Sequence, residues 1–332
     1  MPEDHDYSPA PWSARDTFAS ARSAYDVHVG RSYDDAKKKS VGHSDLVPKR
    51  ISTKCEAPIV VYVDVTGSMG EWPATIFSKL GYLDHEAKFY FGSDYKIAFG
   101  AIGDCFCDSY PLQIQPFTSG EGLKNALTKL VIEGGGGGGA KESYDLGALY
   151  ASRNCYTPNA LKPLLVFIGD EGLYDEIYPD MAEKYCKVNL KNNMPLKKVF
   201  DELLQRFDVY VIRKPYGYDQ TPGSADEKIQ RQWEGLLGED HVINLPEASR
   251  VVDVLFGIFA KVTNRVEDFE KELKDRQLKD KDGKHKVEVV MKSLMSIHGD
   301  GDEADAKALP TDDLSVTKAK KTKGSKSKSL LK

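Results

Sequence analysis

Two apolar runs stand at the front of the pattern, neither with a charged or amide side chain: Pro58-Ile59-Val60-Val61-Tyr62-Val63 and Pro163-Leu164-Leu165-Val166-Phe167-Ile168-Gly169. Each has the length of a strand and lacks polar alternation, so each predicts a strand buried on both faces, as central parallel strands are. Further strands are expected at Lys96 to Gly103, Asp208 to Arg213 and His241 to Leu245, and Leu112 to Phe117 alternates like an edge strand that tolerates Pro116. Helical spacing recurs between them: Glu71 to Leu83, Leu123/Leu127/Leu130, Tyr144 to Ala151, Leu196 to Leu204, the segment around Trp233 and Leu237, and Val251 to Phe259. At least five strand and helix units therefore alternate. This order predicts an α/β fold with a doubly wound, mostly parallel sheet flanked by helices.

Composition divides the chain into four parts. Residues 1–50 are polar and without periodicity and read as an irregular arm, and residues 51–263 hold the α/β pattern. Residues 264–298 are charged, with Val266/Phe269/Leu273 and Val287/Val290/Met291/Leu294 marking two amphipathic helices that extend the core. Residues 299–332 form a tail expected to be disordered; its last part, Thr317 to Lys332, has seven lysines and no acid.

The strand ends carry the chemistry. The first apolar run leads directly into Asp64-Val65-Thr66-Gly67-Ser68, and the second ends at Asp170-Glu171. Open α/β sheets bind ligands beyond the carboxyl ends of their strands, so both aspartates fall where a ligand is expected. Between them a glycine tract, Gly134 to Gly139, delivers Ser143 to the start of a helix. Two carboxylates and three hydroxyls, with no His or Cys, suit a hard cation: Mg²⁺, or else Mn²⁺ or Ca²⁺, rather than zinc. The plainer alternative is that Thr66 and Ser68 cap the helix that begins near Glu71. The tract is not a P-loop, because Ala140 and Glu142 interrupt the Gly-Lys-Ser order that encloses phosphates.

With these residues in place the chain resembles the von Willebrand factor A (vWA) family and its metal-ion-dependent adhesion site (MIDAS). That family has Asp-x-Ser-x-Ser after its first strand, a Thr shortly before an Ala-Leu pair, and an Asp ending a later strand. Here the matching positions are Asp64, Thr66, Ser68, Ser143 (five residues before Ala148-Leu149) and Asp170, and the likeness spans residues 51 to 263. Asp-Val-Thr-Gly-Ser-Met-Gly and Ile-Gly-Asp-Glu are most similar to the intracellular microbial and viral branch. The resemblance implies a Rossmann-like core and a metal site that accepts an Asp or Glu from a protein partner, without catalysis. Glu171 departs from the pattern: where Gly is common, a third carboxylate either joins the ligands or takes the partner's place.

A second, more local similarity is to haloacid-dehalogenase-type phosphotransferases. It would make Asp64 a nucleophile, with Gly169-Asp170 and Asp175 as the later acidic motif and Lys141 on phosphate. Such enzymes commonly use a second Asp two residues after the nucleophile, and that position is Thr66.

Charge and cysteine content narrow the setting. A net charge of −5 argues against nucleic-acid binding beyond weak contact by the Lys-rich tail, and five cysteines make no disulfide framework. No apolar stretch reaches the ~20 residues of a membrane span, so no membrane partner is expected. These features predict a cytoplasmic protein.

Overall fold

Every residue of the first long strand, Ala57–Asp64 (β1), is buried, as its unbroken apolar character requires. The structure, a computed structural model, describes residues 43–298 except 71, 79, 128, 132–138, 162, 218 and 220. Most of the expected arm, the tail, and 134–138 of the glycine tract lie outside the described residues. The main sheet continues with Tyr95–Ile102 (β2), Leu112–Ile114 (β3), Leu164–Gly169 (β4), Asp208–Arg213 (β5) and Val242–Asn244 (β6).

The strands lie in the order β6-β5-β4-β1-β2-β3, all neighbours parallel except the β2–β3 pair. The chain lays β2 and β3 to one side of β1 and β4, β5 and β6 to the other. A topological switch point therefore falls between β1 and β4, where doubly wound sheets open a crevice at their carboxyl edge.

Helices cover both faces. Trp72–Ser78 (α1), Leu80–Phe91 (α2), Glu121–Leu127 (α3), Tyr144–Asn154 (α4), Leu196–Leu204 (α5), Ala225–Leu237 (α6), Val251–Val262 (α7), Val266–Gln277 (α8) and Gly283–His298 (α9) follow in chain order. Ile59, Val61 and Val63 pack with α1, α2, α3 and α7, while Val60 and Tyr62 pack with α4, α5 and α6. Alternate residues of one strand thus feed two cores, which is why a run with no polar position was needed. The charged helices α8 and α9 put Phe269, Leu273, Val287, Val290 and Leu294 into the first of these cores.

Two elements differ from their sequence reading. The single helix expected over Glu71 to Leu83 is assigned as two, α1 and α2, and α2 runs on to Phe91, where Ala87 and Tyr90 prolong its buried face; it ends at Gly92, whose φ of 74° favours glycine. The edge strand does not alternate in burial: Gln113 is inaccessible because its amide bonds both backbone groups of Val131. All five cysteines are free, and among the described residues no helix is long and apolar enough to cross a membrane.

Candidate metal centre

Asp64 is the last residue of β1 and is 0% exposed. Its two oxygens are used differently. Oδ1 accepts the Thr66 amide (2.9 Å) and the Thr66 hydroxyl (2.6 Å), and Oδ2 accepts the Tyr144 hydroxyl at 2.5 Å. Thr66 Oγ1 lies 3.2 Å from Ser68 Oγ, and Ser68 Oγ donates to Asp170 Oδ1 at 2.9 Å, across 102 positions of chain. Four of the five residues singled out in the sequence are therefore joined in one ladder of oxygens across the switch point.

Ser143 stands just before α4 but is not part of that ladder: its Oγ accepts the Cys105 amide at 2.9 Å. Thr66 precedes a single 3-10 turn, Gly67–Met69, yet its side chain makes no capping bond there, and Ser143 makes none to α4.

The oxygen spacing can be compared with a metal's needs. Neighbouring ligands of an octahedral ion with bonds of ~2.1 Å lie ~3 Å apart. The separations of 3.2 Å and 2.9 Å along Thr66, Ser68 and Asp170 have that size and are equally those of the hydrogen bonds these groups make with one another, so the spacing is compatible with a cation without selecting one. Among the described residues no group of three or more His, Cys, Asp or Glu is placed to hold a metal.

The surroundings are unusually acidic. Burial, and then the Asp170 charge, push the Asp64 carboxyl up, against the hydrogen bonds from Thr66 and Tyr144. Burial together with Asp64, Glu171 and Asp104 pushes Glu142 up strongly. Glu171 is raised to about 8 by burial and by Asp64, Asp170 and Asp104, with Lys214 opposing. Glu142 Oε2 and Glu171 Oε2 are buried without a hydrogen-bond partner among the described residues. A cation at this edge would relieve each of these shifts at once.

Several contributors were not identified from sequence. Lys214 follows β5 and sets its ammonium on Asp170 Oδ2 (2.8 Å) and on the Ser68 carbonyl. Its position at a strand's carboxyl end, like Asp64 and Asp170, was the available signal. Tyr144 had none, because an aromatic residue opening a helix reads as core. The phenol reaches Asp64 because Gly169 has no side chain: a Cβ there would collide with the Tyr144 hydroxyl. Glu142 is brought in by a two-residue parallel pairing of Lys141–Glu142 with Gly172–Leu173, just past β4.

No protein-family model matches this chain, and no curated protein matches it. Among solved structures it is similar to the pilus adhesin SpaC from Lactobacillus rhamnosus GG, at 11% identity with a TM-score of 0.42, and at 10% with 0.44 for an open conformation. Both likenesses cover 67% of this chain, and 32% and 31% of the adhesin. It is also similar to proximal thread matrix protein 1 from the mussel byssus, at 12% identity and a TM-score of 0.39, over 64% of this chain and 49% of that one. The chain thus spans about a third of the adhesin's length and about half of the matrix protein's.

Proposed function

We propose that this protein is a divalent-cation-dependent protein-interaction module with a vWA-type core, working in the cytoplasm. The observation that carries the reading is the ladder Asp64–Thr66–Ser68–Asp170 at the switch point. In this reading Thr66 and Ser68 hold Mg²⁺ or a similar cation through their hydroxyls, with Asp64 and Asp170 acting directly or through water, and Ser143 completing the set from the start of α4. Bound there, the cation supplies an electron-poor position for an Asp or Glu of the partner. Tyr144 fixes the Asp64 carboxylate, and Lys214 balances Asp170.

The phosphotransferase alternative draws less support from the same geometry. Asp64 is inaccessible and has both oxygens engaged, whereas a nucleophile needs a free lone pair facing substrate. Lys141 pairs at 2.9 Å with Asp175, and both side chains are well exposed.

Thermal melts with Mg²⁺ or Mn²⁺, against chelator, test the proposal. A ligand at a hundredfold excess over its Kd stabilises the native state by about 2.7 kcal/mol, which for a domain of this size raises Tm by roughly 5 °C or more. That rise is expected in the wild type and is lost in Asp170→Ala and reduced in Ser68→Ala. The metal-induced shift is the quantity to compare, because Asp170→Ala by itself changes the metal-free stability, relieving carboxylate repulsion while unpairing Lys214 and Ser68. Equal shifts in wild type and Asp170→Ala would overturn the assignment.

A further inference from the structure

The segment that leads into α4 is tied to the strands on both sides of β1. Lys141–Glu142 pairs with Gly172–Leu173 just past β4, and the Ser143 amide donates to the Gly103 carbonyl, just past β2, at 3.0 Å. Because β4 and β2 are the two neighbours of β1, residues 141–143 cross the carboxyl end of β1, where Asp64 begins the hydroxyl loop. The sequence pattern assigns the ligand of this segment to Ser143. In the structure Ser143 is inaccessible, and its Oγ accepts the Cys105 amide.

Glu142, one residue earlier, presents a different picture. It is 2% exposed, and its Oε2 is buried with no hydrogen-bond partner among the described residues. A buried acceptor of this kind costs free energy unless something meets it. The lysines of this edge are engaged elsewhere: Lys141 pairs with Asp175 and Lys214 with Asp170. The charges that bear most strongly on Glu142 are Asp64, Glu171, Asp104 and Asp108, all acidic, with Asp64 first. The crossing of β1 and this order of influence agree that the Glu142 carboxyl lies beside Asp64. Glu171 also has an unpartnered oxygen, but the Lys214 charge acts on it against its acidic neighbours.

A carboxylate set among other carboxylates, with no donor, is the environment that a hard cation satisfies, because the ion supplies both the opposing charge and the partner for the lone pair. We propose that Glu142 is a direct ligand of the divalent cation, bringing a charged oxygen to it beside the hydroxyls of Thr66 and Ser68. It acts with hydroxyls rather than within a cage of carboxylates, since no three acidic groups are placed together to hold a metal among the described residues. The assignment rests on the metal reading above and adds to it the residue that sets the strength of the site. Ligand charge tunes affinity, so the ion resides on the protein before a partner arrives.

Mn²⁺ titrations of the full-length protein test the assignment, with the free ion read by its electron paramagnetic resonance. Glu142→Gln keeps the shape of the side chain and removes its charge. It is expected to weaken Mn²⁺ binding by about a hundredfold or more, because even groups that only orient a ligand are worth about 10–100-fold. Glu171→Gln removes the same charge from the same edge and costs about tenfold or less. In protein carrying glutamate labelled with ¹³C at the side-chain carboxyl, pulsed electron–nuclear double resonance of bound Mn²⁺ shows the carbon coupling of a directly bound carboxylate, and Glu142→Gln, loaded at higher Mn²⁺, lacks it. Unchanged affinity in Glu142→Gln, equal losses in the two variants, or a coupling that survives Glu142→Gln overturns the proposal. Wild type that binds no Mn²⁺ overturns the function proposed above together with this assignment, whereas wild type that binds Mn²⁺ without glutamate coupling overturns the assignment alone.

Discussion

Tyr144→Phe removes one oxygen from a fully buried ring and leaves its packing against Phe167 and Trp233 in place. What disappears is the 2.5 Å hydrogen bond to Asp64 Oδ2. A bond to a charged group contributes about 1.5–3 kcal/mol, and here the abandoned oxygen sits where water has no access. A loss of about 2 kcal/mol is expected, which lowers Tm by roughly 4–8 °C for a domain of this size. The assay is urea denaturation in chelator, with the m-value checked so that the change reads as stability. Asp64→Asn provides the control through a double-mutant cycle: with a neutral amide in place of the carboxylate, Tyr144→Phe should cost less than about 1 kcal/mol. If Tyr144→Phe lies within about 0.5 kcal/mol of wild type, or costs the same in both backgrounds, the phenol does not anchor the carboxylate.

Two further outcomes follow from the charges. Lys214→Met removes the ammonium from Asp170; the metal-free protein should become less stable, while apparent Mg²⁺ affinity rises by roughly tenfold, since a nearby positive charge no longer competes. A smaller metal-induced Tm shift than wild type would contradict this. His241 has its pKa raised by its hydrogen bond to Asp208 and by Asp240, so its contribution is fully present below the unfolded value near 6.5 and is lost as pH rises through the folded value. Melts from pH 5.5 to 8.5 should show wild type losing stability relative to His241→Gln, and parallel profiles would remove His241 from the account.

Local pattern carried much of this architecture. The two uninterrupted apolar runs became β1 and β4, whose alternate residues, like those of β2 and β5, feed both cores, and a run without polar side chains is suited to serve two cores at once. The hydroxyl loop after β1 was legible for a similar reason: Asp64, Thr66 and Ser68 lie within one short segment, and their mutual bonds span only two positions. What periodicity does not encode is which strands become neighbours. Asp64 and Asp170 share one ladder because β4 pairs with β1 rather than with its chain neighbour β3. The pairing of β5 with β4 brings Lys214 from the end of β5 onto Asp170.

Tyr144 marks the boundary most sharply. Its spacing in α4 identifies it as a buried ring, and buried it is. That its hydroxyl ends 2.5 Å from a carboxylate 80 positions away depends on the packing of α4 against the sheet and on the space left at Gly169. Burial follows from composition and period, which are local properties. A hydrogen bond needs two atoms placed to a fraction of an ångström, and that placement is decided by the packing of elements distant in sequence.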